Sequence, residues 1–127
     1  MAQQKINADQ VAGSWTSYSA SPAGWSSLTQ NVTKYMKVGK LVTVYISLDG
    51  TSNSTVANIQ LPSQPLDNVQ MLIFRCRDGG TVQSTPGLVV SSSSTSQLDL
   101  YKNPNAAAWT SSGQKQLYAF YFQYIEA

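Results

Sequence analysis

The run Leu41-Val42-Thr43-Val44-Tyr45-Ile46-Ser47-Leu48-Asp49 decides the fold class of this chain. Val42, Val44, Ile46 and Leu48 recur at every second position against Thr43, Tyr45, Ser47 and Asp49. That is the pattern of a strand with one buried face. Asp49-Gly50 beside it reads as a tight turn, because glycine supplies positive φ angles without steric cost. Upstream, Val32, Met36 and Val38 share a face over residues 31–38, and Gly39-Lys40 separates the two runs as a II′ hairpin would. The two segments are expected to be antiparallel neighbours.

The same period of two continues outward from this hairpin. Ala57, Ile59 and Leu61 alternate with Val56, Asn58 and Gln60 up to Pro62. Leu72, Phe74 and Cys76 alternate with Ile73, Arg75 and Arg77 up to an Asp78-Gly79-Gly80 turn. Short runs follow at 81–84, 87–91 and 97–102, the last with Leu98 and Leu100 inward. With residues 13–19 and a final run at 114–125 this makes eight or nine closely spaced strands, and no segment shows sustained helical periodicity. The expected fold is an all-β antiparallel sandwich over residues 13–127. Residues 1–12, whose only large apolar side chains besides Met1 are Ile6 and Val11, read as an arm or stem.

Composition narrows the function. The chain has 127 residues, 11% of them charged, a net charge of +2 and no histidine, while Ser, Thr, Gln and Asn number 18, 10, 12 and 7. Nucleic acid is not an expected partner, since phosphate binding needs a concentrated cationic footprint. Without histidine the commonest general base, zinc ligand and serine-triad relay are missing, so neither metal nor cofactor is expected. No run approaches the roughly 18 apolar residues of a membrane span, and membrane insertion is not expected. Cys76, the single cysteine, lies in the apolar run 71–76 and reads as a packed thiol.

The last run is apolar on both faces: Leu117, Ala119, Tyr121 and Ile125 alternate with Tyr118, Phe120, Phe122 and Tyr124. A strand in a sandwich exposes one polar face, so a second layer or a second subunit must cover the other. The tyrosines favour a subunit, because their hydroxyls suit partly wet interfaces.

Three motifs then stand in order: Gly13-Ser14-Trp15-Thr16, Tyr35-Met36-Lys37-Val38-Gly39-Lys40-Leu41-Val42-Thr43-Val44 and Ile59-Gln60-Leu61-Pro62. Together they resemble the C-terminal receptor-binding domains of bacteriophage and prophage tail fibres, over residues 13–62. Lys5-Ile6-Asn7-Ala8-Asp9-Gln10-Val11 is similar to the junction between stalk and tip of such fibres. The resemblance implies a homotrimeric sandwich or jelly-roll-like head on the virion tail, facing the host bacterium and binding a surface glycan or other receptor. The alternative is a structural trimerisation or virion decoration module with no ligand of its own.

A glycosidase needs two carboxylates facing across a cleft. Asp49 and Asp78 sit beside turn glycines, Asp9 lies in the arm and Asp67 in a Pro-rich loop, so non-catalytic binding is expected. Saccharide binding needs flat rings to stack on sugar C–H faces and fixed polar groups for the hydroxyls. Tyr101-Lys102-Asn103-Pro104-Asn105-Ala106-Ala107-Ala108-Trp109-Thr110 holds such groups in one stretch. Tyr101, Asn103, Asn105 and Trp109 are its candidate ligand-binding residues, with Trp25 in the loop 21–26 as a second candidate. The competing expectation makes Trp109 a hydrophobic plug and has the asparagines build turns. Arg75 and Arg77 share a strand face and could hold an anionic sugar or phosphate, although packing against tyrosine or pairing with aspartate is the simpler use.

Overall fold

The structure, a computed structural model, describes residues 14–127; the expected arm at 1–12 lies outside them. Among the described residues there are ten strands and no helix: β1 (Thr16–Ser17), β2 (Trp25–Val38), β3 (Leu41–Ser52), β4 (Asn58–Gln60), β5 (Val69–Phe74), β6 (Cys76–Asp78), β7 (Thr81–Val82), β8 (Gly87–Ser91), β9 (Gln97–Tyr101) and β10 (Gln114–Ile125). They form two antiparallel sheets, of six strands in the order β1-β2-β3-β10-β6-β7 and of four in the order β4-β9-β8-β5. The all-β expectation holds.

Val42, Val44, Ile46 and Leu48 are fully buried, as their alternation requires. They join Leu117 and Phe122 of β10 with Ile59, Val89, Leu98 and Leu100 of the four-stranded sheet in one apolar cluster. The Phe74 and Phe120 rings meet between the sheets at 5.1 Å. Each such side chain contributes about 1.5–3 kcal/mol of burial free energy, which makes this cluster the main source of stability. The β2–β3 hairpin closes through Val38 opposite Leu41, with Gly39 at φ 59°.

Four local expectations are corrected. Asp49-Gly50 is no turn: Gly50 lies within β3, opposite Leu28 on one side and Lys115 on the other. A Cβ there would stand 2.0 Å from the Ser27 carbonyl oxygen. Glycine serves close backbone approach at this point, beside a bulge in β2. Second, β2 begins at Trp25 and not near residue 31; bulges after Trp25 and after Leu28 interrupt the period of two and hide the strand. Third, Leu72 is exposed while Phe74 and Cys76 are buried. A bulge in β5 between Leu72 and Phe74 changes the faces, just before the chain leaves the four-stranded sheet at Phe74 and enters the six-stranded one at Cys76. Fourth, β10 carries a bulge between Leu117 and Phe120. Its buried set is therefore Lys115, Leu117, Phe120, Phe122 and Tyr124, leaving Ala119, Tyr121 and Ile125 outside.

Cys76 is fully buried and donates its thiol to the Lys102 carbonyl at 3.5 Å. Burial pushes the thiol up to about 11, far from the reactive thiolate. We expect no labelling of the native protein by a thiol reagent at pH 7.5 and stoichiometric labelling in denaturant. Rapid native labelling would place β6 with its other face inward.

Candidate functional site

The segment 101–110 runs from the last residue of β9 into the connection to β10 and is pinned near both ends by a carboxylate. Asp78, buried at the end of β6, accepts from the Thr110 amide at 2.8 Å, the Thr110 hydroxyl at 3.0 Å and the Lys102 ammonium at 2.9 Å. Burial works against its ionisation, but these donors outweigh it and hold the carboxyl below its ordinary range. Asn103 Oδ1 accepts from the amides of Asn105 at 2.9 Å and Ala107 at 3.3 Å, which folds the tip of the loop. That is the turn-building use of asparagine, and it spends the side-chain carbonyl on the loop itself. Asn105 is exposed at the tip.

Both candidate tryptophans are buried. Trp109 is 2% exposed, donates Nε1 to the Leu100 carbonyl at 2.8 Å and closes the core beneath the loop. Trp25 is 8% exposed and donates Nε1 to the Lys115 carbonyl at 2.9 Å. Neither ring is open to stack on a sugar, so both are corrected from ligand platforms to core anchors; a buried indole needs an acceptor for its N–H, and each has one.

Between the two indoles lies a residue that sequence reasoning missed. Lys115, on β10, is fully buried. Its ammonium donates to the carbonyls of Gly24 at 2.8 Å, Val56 at 3.0 Å and Ser54 at 3.1 Å. It stands 5.1 Å from the centre of the Trp25 ring and 5.5 Å from that of Trp109. Three carbonyls and two indole faces replace part of its lost hydration. Burial still pulls its pKa down to about 8. The side chain thereby ties together the segments before β2, between β3 and β4, and between β9 and β10. Its parity with Leu117 was visible in the sequence; that a lysine would follow that parity inward was not.

Tyr101 alone of the candidate rings stays at the surface. It lines a cleft of about 280 Å³ on the outer side of the four-stranded sheet, with Asn58, Gln97 and Asp99 in the floor and Val56 and Ala108 in the walls. Register explains the grouping: Asn58 pairs with Asp99, and Gln97, Asp99 and Tyr101 are alternate residues whose neighbours Leu98 and Leu100 point into the core. Asp99 Oδ1 accepts from Gln97 Nε2 at 2.7 Å, which leaves Oδ2 without a hydrogen-bond partner among the described residues. The alternation of 97–101 was the available signal for Gln97 and Asp99; their pairing with Asn58 exists only in the folded sheet.

The outer side of the six-stranded sheet is different. Trp15, 43% exposed, and Tyr121, 56% exposed, stand 6.1 Å apart between ring centres, and Tyr45 meets Tyr121 edge-on at 5.3 Å. Val38, Leu41 and Ile125 extend this apolar surface. The arginines divide as tyrosine partners: Arg75 lies over the Tyr118 ring at 5.9 Å, and Arg77 donates to the Tyr118 hydroxyl at 3.1 Å. Comparison of the sequence with protein-family models and with curated proteins found no match in either.

Proposed function

We propose that this chain is the receptor-binding head of a phage-type tail fibre, a homotrimer that binds a saccharide of the bacterial surface without covalent chemistry, metal or cofactor. The resemblance of its Trp15, Tyr35 to Val44 and Ile59 to Pro62 motifs to such heads motivates the class. The cleft at Tyr101 is the observation that carries the binding role: one aromatic ring beside a carboxylate and two amides is the kind of lining that holds a sugar. In this proposal the two sheets make a jelly-roll-like sandwich, the chain passing between them at β3–β4, β5–β6, β7–β8 and β9–β10. The exposed Trp15, Tyr45 and Tyr121 surface serves as the subunit contact, and weak sites repeated on three subunits gain avidity at fixed separation.

The burial of Trp25 and Trp109 favours a second role, a trimerisation or decoration module with no ligand. The two differ in one experiment. Sedimentation at micromolar concentration should give about three times the 13.8 kDa chain mass, and Tyr121→Glu, at an exposed site, should give the monomer with its fold intact. A wild-type monomer overturns the trimer. Adsorption of the wild type to bacterial surface polysaccharides supports the receptor-binding role; a trimer that adsorbs to no polysaccharide and no cells supports the structural one.

A further inference from the structure

The cleft at Tyr101 carries information about its ligand that goes beyond the class of partner. Its lining includes the carboxylate of Asp99 and no lysine or arginine. Lys102, next in sequence to Tyr101, is committed to Asp78 at 2.9 Å. Lys115 lies behind the wall, its ammonium bonded to the Val56 carbonyl and two others. Asp99 Oδ2 remains an acceptor, and the half-buried Asn58 side chain has no hydrogen-bond partner among the described residues. The volume, about 280 Å³, lies just under the range of drug-sized ligand pockets, about 300–1,000 Å³, and suits one sugar ring better than a chain.

We infer that this cleft is a subsite for a single neutral or amino sugar and rejects acidic ones. The inference rests on the saccharide-binding role proposed above. Tyr101 supplies the stacking face, and the Asp99 carboxylate and Asn58 amide take the ring hydroxyls or an ammonium group. A uronate, sialate or phosphorylated sugar brings a second anion against Asp99 with no cation to offset it, and like charges placed together across an interface discriminate strongly. An ammonium in the same position forms a charge-assisted hydrogen bond.

The test is ligand-observed saturation-transfer NMR on the whole chain with three probes: methyl glucoside, glucosamine and glucuronate. The expected order is glucosamine at least as strong as the methyl glucoside, and glucuronate at least tenfold weaker than either. Asp99→Asn should remove the advantage of glucosamine and bring glucuronate near the methyl glucoside. Tyr101→Ala should abolish transfer to all three. Val56→Lys, at an exposed wall position, should raise glucuronate binding at least fivefold, a gain that misfolding does not produce. Equal binding of glucuronate and methyl glucoside by the wild type overturns the inference, as does transfer to none of the probes or insensitivity to Asp99→Asn and Tyr101→Ala. Should Tyr101→Ala still adsorb to polysaccharide like the wild type, this subsite falls while the receptor-binding role stands. A wild type that adsorbs to no polysaccharide overturns both.

Discussion

Lys115→Ala is expected to destabilise the protein by about 3 to 5 kcal/mol, because it opens a cavity between two indoles and strands three carbonyls. For a domain of this size that lowers the melting temperature by roughly 10 to 20 °C. Replacing a buried charge by an apolar side chain can be neutral where its partner charge leaves as well. Here the partners are the backbone carbonyls of Gly24, Ser54 and Val56, which stay behind. Lys115→Met, which restores most of the volume but no donor, is therefore still expected to cost at least about 2 kcal/mol. Wild-type stability in Lys115→Met would show that packing alone holds the three segments together.

The same residue sets a pH dependence of defined sign. Its amine titrates near 8 in the folded protein and near 10.5 in the unfolded chain. Between those values the unfolded chain binds more protons, so the contribution of Lys115 to stability rises with pH, at up to about 1.4 kcal/mol per unit. Cys76, raised from 9.0 to about 11, opposes this from pH 9 upward. The phenols of Tyr18 and Tyr124, raised by burial, do so above pH 10. Urea unfolding at pH 8 and pH 9 is the clean window. The gap between wild type and Lys115→Met should widen there by about 1 kcal/mol, and a gap that narrows would contradict the buried, partly desolvated ammonium.

Trp109→Ala is the second large effect, expected at about 3 to 5 kcal/mol by urea unfolding. The indole is 2% exposed, its Nε1 bonds the Leu100 carbonyl, and its backbone amide donates to the Thr55 carbonyl at 3.0 Å. Adsorption measured well below the melting temperature should persist, since the proposed binding site is the Tyr101 cleft outside the core. A stable Trp109→Ala that has lost adsorption would return the site to the tryptophan. Because the Lys115 ammonium faces this ring at 5.5 Å, the two substitutions should not add. A double-mutant cycle with Lys115→Met should show a coupling of about 0.5–3 kcal/mol.

Alternation made much of the fold legible in the sequence. Residues 42–48, 57–61, 87–91, 97–101 and 114–125 follow strand periodicity closely enough to place their strands, because each sheet buries one face and side chains alternate across it. The turns at Gly39-Lys40 and Gly79-Gly80 were equally local, glycine being the residue that accepts their positive φ angles. What period two conceals is a change of parity. The bulges in β2, β5 and β10 each transfer a run of side chains to the other face, and their positions depend on the strand alongside.

The candidate site was legible in part for the same reason. Composition brought attention to residues 101–110, since aromatic rings and amides gather there, and Tyr101 does line the cleft. Whether an aromatic side chain stacks on a ligand or fills a core is decided by what lies beneath it. For Trp25 and Trp109 that is the Lys115 ammonium, contributed by a strand 90 residues from one in the chain and 6 from the other. Local sequence thus determined which segments become strands and where the tightest turns fall, because backbone geometry and side-chain parity act over a few residues. Only the tertiary structure decided which tryptophans are buried, which asparagine is spent on a turn, and that Asn58 meets Asp99 in one floor, because each depends on strand pairing and on contacts that no local pattern encodes.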